Sequence, residues 1–228
     1  MTPRNQELYD NFQLFYDNLS SHQAPGLTYQ EVSTYLSDAQ NVLVQTFYRE
    51  YEKDEAARKA LVPLVATVLL SPASGVSIEK ATAESVFYQL PVVTSETGAT
   101  MSDVLYVLYE ALRKSAASDR CPQNNDILIQ PILHDELHDV YRNPFRYNRR
   151  RALRLDVHDG ANAYAEIVSK SSGYYYVRYI KRPTPIILTA NEYTIDGYSS
   201  EHEPVLDPIF DNSIVEAAAT KAYQHYKA

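Results

Sequence analysis

The residues best suited by type and spacing to do chemistry are His134-Asp135-Glu136-Leu137-His138. Two histidines at i and i+4 share one helix face, which is how a zinc-dependent hydrolase holds its metal. The surroundings do not complete that site. The second position carries Asp135 where the catalytic glutamate belongs, the inverted motif would need glutamate at Leu137, and no third ligand follows downstream. The pair reads as the polar face of a short helix. Nucleophilic chemistry has no better footing. There is no Gly-x-Ser-x-Gly and no phosphate-binding glycine loop among the six glycines, and Cys121 sits in a polar stretch with no histidine near it in sequence. No catalytic residue, metal or cofactor is expected, and the chain does not read as an enzyme.

A second group is chemically stronger. Arg142, Arg146, Arg149, Arg150, Arg151 and Arg154 fall within thirteen residues that hold no acid, with Phe145 and Tyr147 between them. Arginine interleaved with aromatics suits single-stranded nucleic acid, through phosphate contact and base stacking. It equally suits an acidic protein surface, because guanidinium pairs bidentately with carboxylate. The chain carries such a surface itself. From Pro183 to Thr220 there is no lysine or arginine, while Glu192, Asp196, Glu201, Glu203, Asp207, Asp211 and Glu216 all lie there. Separated basic and acidic stretches allow copies to pair head to tail, the arrangement that closes rings.

These stretches need elements to position them. Thr2 and Pro3 open a first helix with Leu8, Phe12, Phe15 and Leu19 as its apolar stripe. Thr28 and Glu31 form a capping box before a second helix, which carries Val32, Leu36, Ala39, Leu43 and Phe47 and reaches about Glu55. Strands are expected over Leu61–Leu70, Glu84–Val93 and Ser102–Ser115, the last favoured over a helix by its alternation, and a loop over Ala116–Asn125. Pro131–Tyr141 reads as a short helix stopped before Asn143-Pro144.

Beyond it, Leu153–Val157, Ala163–Lys170 and Tyr174–Lys181 alternate like strands. Ser171-Ser172-Gly173 reads as a tight turn, so a three-stranded meander is expected, ended by Arg182-Pro183-Thr184-Pro185. A last helix, with a capping box at Ser213 and Glu216, presents Ala217, Ala218, Ala219 and Ala222 as a small-residue surface edged by Ile214, Tyr223 and Tyr226. That surface either lies in a groove of a neighbouring protein or packs on the chain's own core.

Composition sets the frame. At 228 residues with 45% hydrophobic content the chain can bury a full core. Twenty tyrosines against six phenylalanines and no tryptophan favour contact surfaces as well as strands. A net charge of −8 opposes non-specific binding of nucleic acid by the whole molecule. One cysteine excludes an intramolecular disulfide. No signal peptide opens the chain, and the longest apolar run, Ala60–Leu70, is too short to span a bilayer. A soluble protein of a reducing cytoplasm, without a membrane role, is expected.

In four places the order of residues resembles a known family. These are LFYDNLSSHQAPGLTYQEVSTYLSDAQNVLV (Leu14–Val44), the HDE…RNPF segment (His134–Phe145), YYYVRYIKRPTPIIL (Tyr174–Leu188) and EPVLDPIFDNSIVEAAATKA (Glu203–Ala222). The chain resembles the ring, or head–tail connector, proteins from the neck of crAss-like tailed bacteriophages. The resemblance implies a virion structural protein. About twelve copies would form a ring on or below the portal, in contact with other neck and tail ring proteins, with DNA passing through the lumen without sequence-specific binding.

The expected fold is α+β in a single connector-type domain over 1–228. It comprises N-terminal helices over 1–60, a β-rich, mostly antiparallel core over 61–190 with a basic arm at 142–151, and an acidic segment with the C-terminal helix over 201–228. The expected subunit or portal interface comprises the six arginines together with Glu201, Glu203, Asp207, Asp211, Ile214, Tyr223 and Tyr226. The two arms, about 142–151 and 201–228, are expected to order only on assembly, leaving the free chain monomeric. The alternative reading is a single-stranded nucleic-acid-binding protein using Arg142–Arg154 and the tyrosine-rich hairpin.

Overall fold

The computed structural model describes residues 1–20, 25–113, 126–160, 162–190 and 194–227. The expected loop over Ala116–Asn125, with Cys121, and Glu192 lie outside them. In chain order the elements are α1 (Pro3–Ser20), α2 (Tyr29–Glu50), α3 (Glu55–Ala60), β1 (Val65–Leu70), β2 (Ser85–Gln89), β3 (Val92–Thr94), β4 (Thr100–Ser102), β5 (Val104–Arg113), β6 (Asp126–Pro131), α4 (Leu137–Arg142), β7 (Arg151–His158), β8 (Ala163–Val168), β9 (Tyr174–Lys181) and α5 (Asp211–Lys227). The class is α+β. No helix is long and apolar enough to cross a membrane among the described residues. The chain divides into two compact units. One comprises 1–64, 95–99 and 183–228, and the other 65–94 and 100–182.

The first unit is helical. The capping box of α2 forms as its sequence dictates: Thr28 Oγ1 accepts from Glu31 N at 3.3 Å, and Glu31 Oε2 accepts from Thr28 N at 2.8 Å. The bond from Thr28 N, together with one from Thr28 Oγ1 to the same carboxylate oxygen at 2.8 Å, holds the Glu31 carboxyl below its ordinary pKa. The helix ends at Glu50, short of the expected Glu55, because Asp54 caps a separate α3 through Ala56 N and Ala57 N. On α1 the buried apolar set is Leu8, Phe12 and Tyr16, whereas Leu19 is exposed. A strict i, i+4 line holds one face, and Tyr16 takes the place expected for Phe15. α5 packs on both α1 and α2 with Ile214, Val215, Ala218, Ala219 and Ala222 buried. The three alanines admit close helix approach. Each fully buried large apolar side chain contributes about 1.5–3 kcal/mol.

An extended segment, 183–188, runs buried in this unit and has no sheet partner for most of its length. Pro183 and Pro185 bring no N–H, and helix side chains meet the needs of the rest. Ile186 N donates to Ser37 Oγ at 2.9 Å, Leu188 N to Ser33 Oγ at 3.1 Å, and Gln40 Nε2 donates to Thr184 O at 3.0 Å. Ser33, Ser37 and Gln40 lie at i, i+4 and i+7, so one face of α2 reads successive backbone groups. Ile187 instead exchanges two backbone bonds with His202, both 3.0 Å.

The second unit holds a seven-stranded sheet in the order β1-β9-β5-β6-β7-β8-β2, antiparallel except for the parallel β6–β7 pair, and a separate β3–β4 hairpin. β9 and β2 stand five places apart in that order, about 24 Å on a flat sheet at about 4.8 Å per strand. Yet the rings of Tyr88 on β2 and Tyr175 on β9 are 5.6 Å apart, and Tyr88 OH donates to Gly173 O at 2.7 Å. The sheet therefore curls strongly around a core that includes Tyr88, Leu112, Ile127, Ile167, Tyr175 and Val177.

Three expectations change here. The β7–β8 hairpin forms, but the three-stranded meander does not: β9 pairs with β1 and β5. Both ladders of β8 are already filled, by β7 and β2. Ser171–Gly173 is then a crossing and not a hairpin turn, and a Cβ on Gly173 would lie 2.3 Å from Arg113 O. The expected strand Glu84–Val93 breaks at Leu90-Pro91 into β2 and β3, and β1 begins at Val65 after a helical turn at Val62–Leu64. The strand over β5 is as expected. Pro131 closes β6, and the short helix begins with a 3-10 turn at His134–Glu136 and runs on as α4 to Arg142, stopping before Asn143-Pro144.

Candidate assembly surfaces

The basic stretch follows α4 as a braced loop. Asn143 Oδ1 accepts from Phe145 N at 3.0 Å, and Asn143 O accepts from Arg146 N and Tyr147 N. Asn148 repeats the turn, its Oδ1 accepting from Arg150 N at 2.9 Å. Tyr147 is buried between these turns among Val140, Leu153, Leu155 and Val168 and donates to the Glu84 carboxylate, so it is an anchor and not a stacking platform. Burial first, then that carboxylate, pushes its pKa well above the ordinary value. Arg142, Arg146, Arg149, Arg150 and Arg151 are exposed, and none has an ion-pair partner among the described residues.

Arg154 is different. It stands on β7 with only 12% of its side chain accessible, and its Nη1 donates to Glu110 Oε2 at 3.2 Å. It belongs to the interior of the curled sheet, apart from the five exposed arginines. His134 and His138 are exposed on the 3-10 turn and α4, and no group of three or more metal-binding side chains converges among the described residues.

The acidic stretch is likewise divided by what its members already hold. Glu201 accepts from the Thr2 amide and from Asn5 Nδ2, and it pairs with the amino terminus at 3.1 Å. The bond from Thr2 is the main reason its pKa lies below the ordinary value. Asp211 is gripped by Arg4 through two bonds of 2.9 and 2.7 Å, while Arg4 also donates to Pro204 O and Leu206 O. Glu203, Asp207 and Glu216 are exposed and pair with nothing within ion-pair distance among the described residues.

On α5, Ile214 is fully buried, Tyr223 is half-buried under Lys227, and Tyr226 is exposed at the last turn. Ala218, Ala219 and Ala222 pack on the chain's own unit, which is the second of the two readings of that helix, while Ala217 is exposed. The expectation that 142–151 and 201–228 are arms ordered only on assembly is corrected with it. The two asparagine turns and the buried Tyr147 hold the first, and the buried face of α5 and the Arg4–Asp211 clasp hold the second.

The sequence reading missed two features. Glu96 lies in the 95–99 turn, and its carboxylate accepts from Ser199 N (2.7 Å), Ser199 Oγ (2.8 Å), Ser200 N (3.0 Å) and Ser200 Oγ. These bonds, the Ser200 hydroxyl first, lower its pKa to about 2. The segment that receives it turns at Asp196-Gly197, both with positive φ, between the bridged Ile195 and Tyr198. That dipeptide signal was available in the sequence. The second feature is Ile209, 77% exposed on the 3-10 turn Pro208–Phe210. Nothing in the local pattern singles out Ile209, and nothing around Glu96 names the distant serines it holds.

Comparison with known proteins bears on the whole chain. It is 29% identical to "Ring protein 3" of Bacteroides phage crAss001 over 96% of its own length and 94% of that protein. It is 27% identical to "Ring protein 4/5" of the same phage, over 97% and 92%. The model of one family, described as phage tail ring protein 3/4, matches residues 1–228. On that full-length match, the chain belongs to the phage tail ring protein 3/4 family.

Proposed function

We propose that this chain is a virion structural protein that assembles into a ring at the phage neck, as a head–tail connector below the portal, with DNA passing through the lumen. About twelve copies would close the ring. The observation that carries the reading is the similarity to two ring proteins of one phage, which runs over 96% and 97% of this chain. The electrostatics support it. A chain of net charge −8 suits a lumen that must not grip DNA, since a basic lining would bind phosphate and retard passage. The exposed arginines of 142–151, with Glu203 and Asp207, are the surfaces this reading assigns to subunit and portal contacts. Each contact of an open chain of subunits is weak until the ring closes, so the free protein is expected to be monomeric at micromolar concentration. Electron microscopy of purified particles, and of the protein mixed with its portal, tests the reading. A ring at the neck carrying this chain supports it, and particles lacking the chain refute it.

A second reading, as a single-stranded nucleic-acid binder, draws on one specific observation. Tyr174 and Tyr109 are exposed on β9 and β5, Arg113 lies over the Tyr176 ring at 3.8 Å, and Arg178 sits opposite Tyr109. Aromatics with arginine on an open sheet face can stack bases. Salt-dependent binding of a labelled oligonucleotide, lost on Tyr174→Ala, would favour it over the structural role.

A further inference from the structure

The two most exposed large apolar side chains among the described residues are Phe145, 84% accessible, and Ile209, 77%. Phe145 stands in the loop with Arg146, Arg149 and Arg150, between Arg142 at the end of α4 and Arg151 at the start of β7, none of them ion-paired among the described residues. Ile209 stands in the stretch with Glu203, Asp207 and Glu216. Each is therefore an apolar knob set in a field of one sign, and the signs are opposite. Arg4 offsets part of the acidic side, since it feels Glu203 and Asp207 as well as Asp211, but four carboxylates outnumber it.

From this complementarity we propose that, in the ring inferred above, residues 142–151 of one copy seat on residues 203–216 of a second copy. Phe145 packs against Ile209, and the arginines meet Glu203, Asp207 and Glu216. Both knobs are held ready for contact. The two asparagine turns and the Tyr147 anchor fix the loop. On the other side Asp207 Oδ1 accepts from Ile209 N at 3.0 Å, and the neighbouring Phe210 packs on Phe47 with ring centroids 5.0 Å apart. Preformed surfaces lose little conformational freedom on association, so a small contact can hold once closure adds the others. The two surfaces are unlike, so the contact is heterologous and propagates from copy to copy. An apolar centre ringed by charge also gives register, because a shifted docking leaves arginine facing apolar surface.

Disulfide trapping and charge exchange test the contact on the full chain. With Cys121→Ser throughout, a chain bearing both Phe145→Cys and Ile209→Cys is oxidised at high concentration. It is expected to give a ladder of covalent multimers on a non-reducing gel, whereas either cysteine alone stops at dimers. Separately, Arg149→Glu, Arg150→Glu and Arg151→Glu together should abolish assembly at unchanged thermal stability. So should Glu203→Lys, Asp207→Lys and Glu216→Lys together. A mixture of the two triple variants should assemble again, because both of its alternating contacts regain opposite charge. No ladder and no rescue, with rings still seen for the wild-type chain, would overturn this contact and leave the ring reading standing. No ring under any condition or in particles would overturn both. Loss of oligonucleotide binding in the arginine variant, without rescue by its counterpart, would assign the loop to nucleic acid instead.

Discussion

Glu110 on β5 and Arg154 on β7 meet inside the curled sheet, Oε2 to Nη1 at 3.2 Å, although β6 lies between their strands. Tyr175 OH donates to the same carboxylate oxygen at 2.7 Å. Burial raises the Glu110 pKa above its ordinary value, and the arginine offsets that only in part. A carboxyl raised in this way binds a proton in the native state at pH values where the unfolded chain has lost it. Its contribution to stability therefore falls as pH rises from 4.5 through the raised value.

Removing one partner strands the other. Arg154→Met is expected to cost about 3–5 kcal/mol, because it leaves a buried carboxylate without its counter-charge. The double variant Arg154→Met, Glu110→Leu should recover most of that loss. Urea denaturation of the wild type, both single variants and the double variant measures the coupling. A Arg154→Met chain that is fully stable yet fails to assemble would return this arginine to the interface.

Glu96 makes the opposite prediction for pH. Its carboxyl is lowered to about 2, so its contribution is complete above the ordinary value of 4.5 and is lost as pH falls through the lowered one. Glu96→Gln keeps the shape but weakens four charge-assisted bonds. The variant should melt below the wild type at neutral pH, and the gap should narrow between pH 4.5 and about 2. Thermal scans across that range measure it. A gap that does not change with pH would mean that the serines do not hold the charged form.

How much of this was legible depends on how far apart the partners lie in the chain. The capping box at Thr28 and Glu31, the stop before Asn143-Pro144 and the alternation of β5 are local, and the residues within a few positions determine them. The β7–β8 hairpin is local too. What failed was the next step. Gly173 looks like a turn in sequence, and only β2 filling the far ladder of β8 shows why β9 must go to β1 and β5. The arginines failed in the same way. Nothing around Arg154 separates it from Arg151, since its partner Glu110 is 44 residues earlier. Among the acids, only the fold shows that Glu201 and Asp211 are already held by the chain's first residues while Glu203 and Asp207 are not.

The C-terminal helix yields a prediction about folding. Truncation after Asn212 keeps the Arg4–Asp211 clasp but removes Ile214, Val215, Ala218, Ala219 and Ala222 from the face packed on α1 and α2. That uncovers the faces of α1 and α2 on which α5 packs. Cooperative thermal unfolding should be lost, or its midpoint lowered by well over ten degrees (each 1 kcal/mol is worth roughly 2–4 °C in a chain of this size). A truncated chain with an unchanged melting curve that no longer docks would mean that the helix serves a partner.

The buried segment at 183–188 gives the sharpest local test. Ser37 Oγ accepts from Ile186 N at 2.9 Å in a site closed to water, and Pro185 beside it brings no donor of its own. Ser37→Ala leaves that N–H unsatisfied, which costs about 1–3 kcal/mol, whereas an ordinary exposed change stays within about 0.5 kcal/mol. Thr34→Ala on the same helix is the control, because its hydroxyl is exposed and only back-bonds to Gln30 O at 2.9 Å. Ser37→Thr keeps an oxygen in place and should recover part of the loss. Amide hydrogen exchange adds a site-specific readout: Ile186 N–H should be protected in the wild type and lose protection in Ser37→Ala, while Ile187, bonded to His202 O at 3.0 Å, changes less. Equal loss at both amides would mean that the whole segment has come away from α2, and no loss at either would mean that the serine hydroxyl is not what holds it.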